Sequence, residues 1–374
     1  MIEANVPVND LKRHNSVVAK DIACAIERVL SRGWYILGPE VEAFEAEFAD
    51  FCGAKYAVGV ANGTDALELA LRALDLPPGA EVATVANAGM YSTTAIRAAG
   101  CVPVYIDIDP KLMTMSPASL AGRLDINIKA IIVTHLYGRM APMPELTEIT
   151  SALGIPVVED CAQAHGAASA SRKAGSWGTL GCFSFYPTKN LGGVGDAGAV
   201  VTSDPDIGGR LRMLRQYGWS SKYKSSVAGG RNSRLDEIQA AVLRAKLPRV
   251  AGWNARRLSI ARFYSAALAD CDLVAPSVPN DGSYVAHLYV IQTRYRDRLQ
   301  PALKRRGISS EIHYPVPDHR QRCAAGLPFR AAVLETTERC CSEVLTMPCF
   351  PEMTDAEAEA VVAAVVDSSR REHA

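Results

Sequence analysis

No two of the ten cysteines are spaced as Cys-x-x-Cys, so no zinc site, and no metal site of any kind, is expected. Cys24, Cys52, Cys101, Cys161, Cys182 and Cys349 lie in apolar surroundings, and Cys340 and Cys341 are adjacent. That placement suits free thiols in a reducing cytoplasm better than a disulfide framework. No apolar run approaches the ~18 residues of a membrane helix. The start, MIEANVPVND, has no basic region followed by an apolar core and is not read as a signal peptide. Charge of one sign is also missing. Lys+Arg and Asp+Glu are 40 each, which gives no electrostatic case for nucleic acid or an anionic membrane. There is no internal repeat and no low-complexity linker.

What is present is apolar and periodic. The 374 residues are 48% hydrophobic, enough for more than one core, so two domains are expected. Val41, Phe44, Phe48 and Phe51 follow helical spacing, and 64–74 predicts a helix capped by Thr64 or Asp65. Segments 57–61, 102–109, 130–137, 156–160, 182–186 and 198–202 read as strands, several apolar on both faces. Alternation of this kind predicts a layered α/β domain over 1–250. Segment 234–270 predicts a long helical region broken near Pro248. A strand at 283–293 and a helix with a Thr354–Glu357 capping box belong to a smaller α+β domain, 251–374.

Three stretches carry candidate chemistry. In VEDCAQAHGA (158–167) a strand ends at Asp160, followed by Gln163 and His165. Ligands of α/β sheets bind at the carboxyl ends of strands, although Asp160 also reads as a helix cap and His165 as a buried, hydrogen-bonded ring. In ANGTDALELAL (61–71) a glycine turn feeds a helix whose first N–H groups lack internal partners. Gly63 and Thr64 there suit a phosphate, or simply an ordinary capped helix. In SFYPTKNLGG (184–193) Lys189 stands between a Pro-Thr pair and a glycine run, with Ser184 five residues upstream. A surface lysine is the plain reading. The sharper one is a lysine that reacts with a carbonyl. Pyridoxal phosphate requires a lysine, a carboxylate for its ring nitrogen, a phosphate cradle and a surface for its ring. Lys189, Asp160 and the group Gly63, Thr64 and Ser184 supply the first three in a plausible order.

These stretches, together with GWYILGPEVEAFEAEFA, NSRLDEIQAAVLRAKL, HLYVI and IHYPVPDH, resemble the sugar aminotransferases of the DegT/DnrJ/EryC1/StrS family over about residues 15–365. The resemblance implies the aspartate-aminotransferase-like fold (fold type I), pyridoxal 5'-phosphate, and a homodimer with shared active sites. By match to the family motifs, Lys189 is the cofactor lysine, Asp160 faces the ring nitrogen and Gln163 the ring hydroxyl. Ser184, Gly63 and Thr64 match the phosphate cradle, and Asn232 the asparagine that reaches the neighbouring subunit's cofactor. Tyr35, Tyr217, His313 and Tyr314 fall in segments that line the sugar nucleotide's path, and His165 is added as a substrate contact. One departure stands out. Gly89 occupies the place of a ring-stacking aromatic, and Met90 or Tyr91 is the nearest substitute; Met90 is expected to cover the ring, or else only to pack in the core. The implied reaction is ping-pong transfer of an amine from L-glutamate to a dTDP-linked 3-keto-6-deoxyhexose. C-4 amination is the alternative. Dehydratases of the family carry histidine where Lys189 stands, and no basic or helix-turn-helix segment points to a regulator.

Overall fold

A computed structural model describes residues 5–370. Ten strands carry the argument. They are β1 (Tyr56–Val60), β2 (Glu81–Thr84), β3 (Val102–Tyr105), β4 (Ile128–Thr134), β5 (Val157–Asp160), β6 (Leu180–Ser184), β7 (Gly198–Thr202), β8 (Tyr289–Gln292), β9 (Arg330–Ala331) and β10 (Val344–Met347). Eight of them form one mixed sheet in the order β1-β7-β6-β5-β4-β2-β3-β9. Only β7 runs against its neighbours. The expected α/β layering with a large mixed sheet is what the chain adopts.

Side chains alternate between two apolar layers, as a strand's period of two requires. On β4, Ile131 and Val133 join the layer containing Phe44, Phe48 and Phe183. Ala130 and Ile132 join the layer of Leu67, Leu71 and Ile96. Both faces are buried, as a parallel sheet demands. A further cluster gathers Ile260, Tyr264, Tyr289, Leu303, Leu345 and Val361 around the antiparallel pair β8 and β10. The helix Val250–Ala267 joins the clusters: Val250 and Trp253 pack in the first, Ile260 and Tyr264 in this one.

Several expected elements are shorter than the sequence pattern. The 130–137 strand stops at Thr134, because Tyr137 takes φ +61° in a tight turn. The 283–293 strand shrinks to Tyr289–Gln292. Val285 N–H instead bonds Gly138 O at 2.9 Å, and Ala286 adopts φ +46°. The helix Gly63–Ala73 is capped by Asn62, not by Thr64 or Asp65: Asn62 Oδ1 accepts Asp65 N–H at 2.8 Å. The helical region breaks at Leu247–Arg249, around Pro248. Thr354 and Glu357 form the capping box, with N–H to side-chain oxygen distances of 2.9 and 3.2 Å. No helix among the described residues is long and apolar enough to cross a membrane.

Candidate active site

Parallel pairing brings the ends of β4 and β5 together, so Thr134 lies opposite Asp160. Next to them β6 ends at Ser184 and runs into the Lys189 loop. Across that opening sits the amino end of the helix Gly63–Ala73. The Asp65 and Ala66 N–H groups are taken by Asn62. Those of Gly63 and Thr64 have no acceptor among the described residues and line a cavity of about 340 Å³ with Ser184, Asp160 and Lys189. Helix N-termini of this kind attract anions. Ser184 Oγ accepts Tyr186 N–H at 3.3 Å, which leaves its own proton to donate. A Cβ on residue 63 would lie 2.6 Å from Ser184 Cβ, so only glycine lets helix and strand come this close.

Lys189 forms the wall between this inner cavity and an outer one of about 720 Å³. Tyr91, Gln163 and Tyr186 share that wall. Removal from water pulls the lysine's pKa from 10.5 to about 8, with Asp160 opposing. Asp160 is 5% exposed. Its carboxylate accepts Ala162 N–H at 3.2 Å and the Thr134 hydroxyl at 3.5 Å. Burial raises its pKa, against the pull of those bonds and of Lys189. A buried carboxylate with so few donors is poised to take a cationic partner. Gln163 is fixed at both ends of its amide: Oε1 accepts Tyr137 N–H at 2.6 Å and Nε2 donates to Tyr314 Oη at 3.3 Å.

The outer cavity is lined by His313 and Tyr314, as expected, and also by Asn9, His287 and Glu311. His313 Nδ1 lies 2.8 Å from Thr346 Oγ1. Burial lowers the His313 pKa.

Two expected residues stand elsewhere. His165 is fully buried with its ring 5.4 and 5.6 Å from Phe183 and Phe185, and it lines neither cavity. Burial, then Lys189, pushes its pKa to about 3. Met90 also lines neither cavity; Ala88 and Tyr91 do. Met90 is the cap of the helix Tyr91–Ala98, at φ +72°, and its N–H bonds Asp318 at 2.9 Å. The Tyr314 ring fills the space over Gly89, 3.0 Å from where a Cβ would stand.

Tyr35, Tyr217 and Asn232 lie on the exposed surface and line neither cavity. They belong to one joined region: Ile36 bridges to Asp236, Gln216 to Asn232, and Glu237 N–H bonds Tyr35 O at 3.0 Å. Trp34 and Ile36 extend it as exposed apolar surface. Sequence reading passed over Tyr186, Thr134 and His287 as cavity residues, and of its two substitutes for the ring-covering aromatic it preferred Met90 to Tyr91. Tyr186 had a signal, sitting three residues before Lys189 on the outgoing side of β6.

The model of the DegT/DnrJ/EryC1/StrS aminotransferase family matches residues 17–366. The dTDP-3-amino-3,4,6-trideoxy-alpha-D-glucose transaminase of Streptomyces venezuelae is 42% identical over 367 residues, covering 98% of this chain and 97% of that protein. The UDP-N-acetyl-3-dehydro-alpha-D-glucosamine 3-aminotransferase of Acidithiobacillus ferrooxidans is 39% identical over 350 residues, 94% of each chain. The crystal structure of DesV from S. venezuelae superposes with a TM-score of 0.94 at 41% identity, over 98% of this chain and 99% of that one. With the match spanning nearly its whole length, the chain belongs to the DegT/DnrJ/EryC1/StrS aminotransferase family.

Proposed function

We propose that this nucleotide-sugar aminotransferase moves an amine from L-glutamate to C-3 of a dTDP-linked 3-keto-6-deoxyhexose, with pyridoxal 5'-phosphate as its cofactor. The carrying observation is the position of Lys189: it faces both cavities, between the Asp160 carboxylate and the Gly63–Thr64 helix end. The donor set fits the cofactor. Gly63 and Thr64 N–H groups and the Ser184 hydroxyl would hold the phosphate, Asp160 the ring nitrogen, and Gln163 the ring hydroxyl. Ala88 and Tyr91 line the inner cavity at the place given to Met90 from the sequence.

When bound, pyridoxal phosphate supplies an aldehyde that takes up an amine and a protonated ring that accepts electrons. The residues do the rest. The Asp160 carboxylate keeps the proton on the ring nitrogen, because an anion beside a base favours its protonated form. Lys189, with its pKa near 8, is uncharged often enough to act as a nucleophile. Its Nζ would take the proton from the donor's α-carbon and hold it as the ammonium for return across the transferred nitrogen. The same atoms work in reverse on the ketone. Lys189 is itself the reason to set aside a dehydratase.

C-3 is supported by the names of both relatives above, each of which specifies that position for its own sugar. The test is the structure of the product. Proton and carbon NMR of the amino sugar is expected to show nitrogen at C-3; nitrogen at C-4 overturns the assignment. Three further parts belong to the same reading. The protein works in the cytoplasm. It pairs as a homodimer in which Tyr35, Tyr217 and Asn232 serve the neighbouring site. The domains meet near residue 251, at the start of the helix that joins the two cores.

A further inference from the structure

His287 opens the HLYVI segment, and the reaction as described leaves it idle. It is 5% exposed, and it lines the outer cavity with Lys189. Its Nδ1 lies 2.9 Å from Asn190 Oδ1, on the residue next to the lysine. The surrounding amides fix the direction of that bond. Asn254 donates its Nδ2 to the His165 carbonyl at 2.8 Å, so Asn254 Oδ1 is an acceptor. Asn190 Nδ2 donates to it at 2.7 Å and to Val285 O at 3.2 Å. Asn190 Oδ1 is therefore an acceptor as well, and His287 Nδ1 must carry the proton. A neutral imidazole has one N–H, so Nε2 keeps its lone pair. Burial, then Lys189, holds the ring well below the usual pKa and hence neutral. Among the described residues Nε2 has no hydrogen-bond partner, and the accessible edge of the ring faces the outer cavity.

We propose that His287 is a substrate-binding residue: Nε2 accepts a hydrogen bond from an N–H or O–H of the substrate beside Lys189, with Asn190 fixing the tautomer. This rests on reading the outer cavity as the substrate chamber. The donor is either the ammonium of the amino acid or a sugar hydroxyl next to the reacting carbon.

The test uses the pyridoxal-phosphate holoenzyme with two stable probes, L-glutamate and a dTDP-3-amino-6-deoxyhexose. Nitrogen-15 NMR, with His287 assigned by its loss in His287→Asn, is expected to show Nδ1 protonated and Nε2 bare. One probe is expected to shift Nε2, and that probe identifies the source. His287→Asn retains an amide N–H for Asn190 but has no acceptor at the Nε2 position. It is expected to keep the wild-type melting temperature and cofactor absorption, and to raise KM about tenfold for the same probe in single-turnover bleaching. His287→Gln, whose amide oxygen reaches farther, is expected to recover most of that. A protonated Nε2, or an Nε2 and KM indifferent to both probes, overturns the proposal. A wild-type enzyme whose Nε2 shifts but whose colour neither probe bleaches overturns the aminotransfer reading alone.

Discussion

Lys189 has to be reactive and buried at once, and the second condition produces the first. Loss of hydration pulls its pKa to about 8. In the cofactor-free chain, the neutral amine captures an aldehyde. The rate of yellow-colour formation with pyridoxal phosphate is therefore expected to climb from pH 7 to 9 and then level. A flat profile in stopped-flow absorbance contradicts it. Lys189→Ala is expected to keep its fold and lose turnover by at least about a thousandfold. Lys246 is a second buried amine, with Nζ 3.1 Å from Asn15 Oδ1 and 2.9 Å from Gly192 O. Burial lowers it from 10.5 to about 8. Between those values the unfolded chain binds more protons at this side chain than the folded one, so its contribution to stability rises with pH. Urea midpoints of the cofactor-free chain are expected to improve from pH 8 to pH 10 relative to those of Lys246→Met. Lys189 and Asp160 were legible because a lone lysine and a strand-end carboxylate are chemically conspicuous in their segments. His165 and Met90 were not, because a residue's type does not tell which side of a loop it faces. His165 turned inward against Phe183 and Phe185, and Met90 became the cap of the helix Tyr91–Ala98, with its N–H on Asp318.

Among elements, the helix Gly63–Ala73 and the end of β6 come close enough that only glycine fits between them. Gly63→Ala puts a methyl into Ser184 Cβ at 2.6 Å. Overpacking of this kind costs about 1–3 kcal/mol. Here the helix is expected to be pushed off the cradle, lowering stability and weakening pyridoxal-phosphate affinity together; thermal melting and fluorescence titration measure both. Glu159, the neighbour of Asp160, accepts N–H bonds from Gly175, Trp177 and Gly178 at 3.0, 2.7 and 2.7 Å and contacts His135 Nε2 at 2.9 Å. Glu159→Leu strands all of these donors. Breaking a buried charge network by removing one member costs about 3–5 kcal/mol, and denaturant unfolding is expected to show a loss of that size. The presence of β1 and of β3 to β8 could be read from their apolar runs, whereas β2, β9, β10 and the order within the sheet could not. Nor could the strands' ends, because Tyr137 and Ala286 leave the ladder through positive φ that neither residue type announces.

For the whole molecule, Trp34, Tyr35 and Ile36 are 55%, 47% and 42% exposed, side by side on the region that also holds Tyr217 and Asn232. Exposed apolar surface gathered in this way marks an interface. The double variant Trp34→Glu, Ile36→Asp is expected to sediment as a monomer and to lose activity while each chain stays folded by circular dichroism. A monomeric wild-type enzyme, or a fully active variant, removes the shared-site arrangement. The break at Leu247–Arg249 was legible from Pro248. The joining role of the helix Val250–Ala267 was not, since one continuous periodic pattern hides that its two ends serve different neighbours.

The wall at Lys189 leaves the enzyme with a single guest room. On the proposed reading, the cofactor keeps to the inner cavity, and the amino donor and the sugar nucleotide take turns in the outer one. Each is then an obstacle to the other. An excess of the amino donor is then expected to crowd out the sugar, an excess of sugar to crowd out the donor, and the cycle to run fastest at a balanced supply rather than at saturation with both.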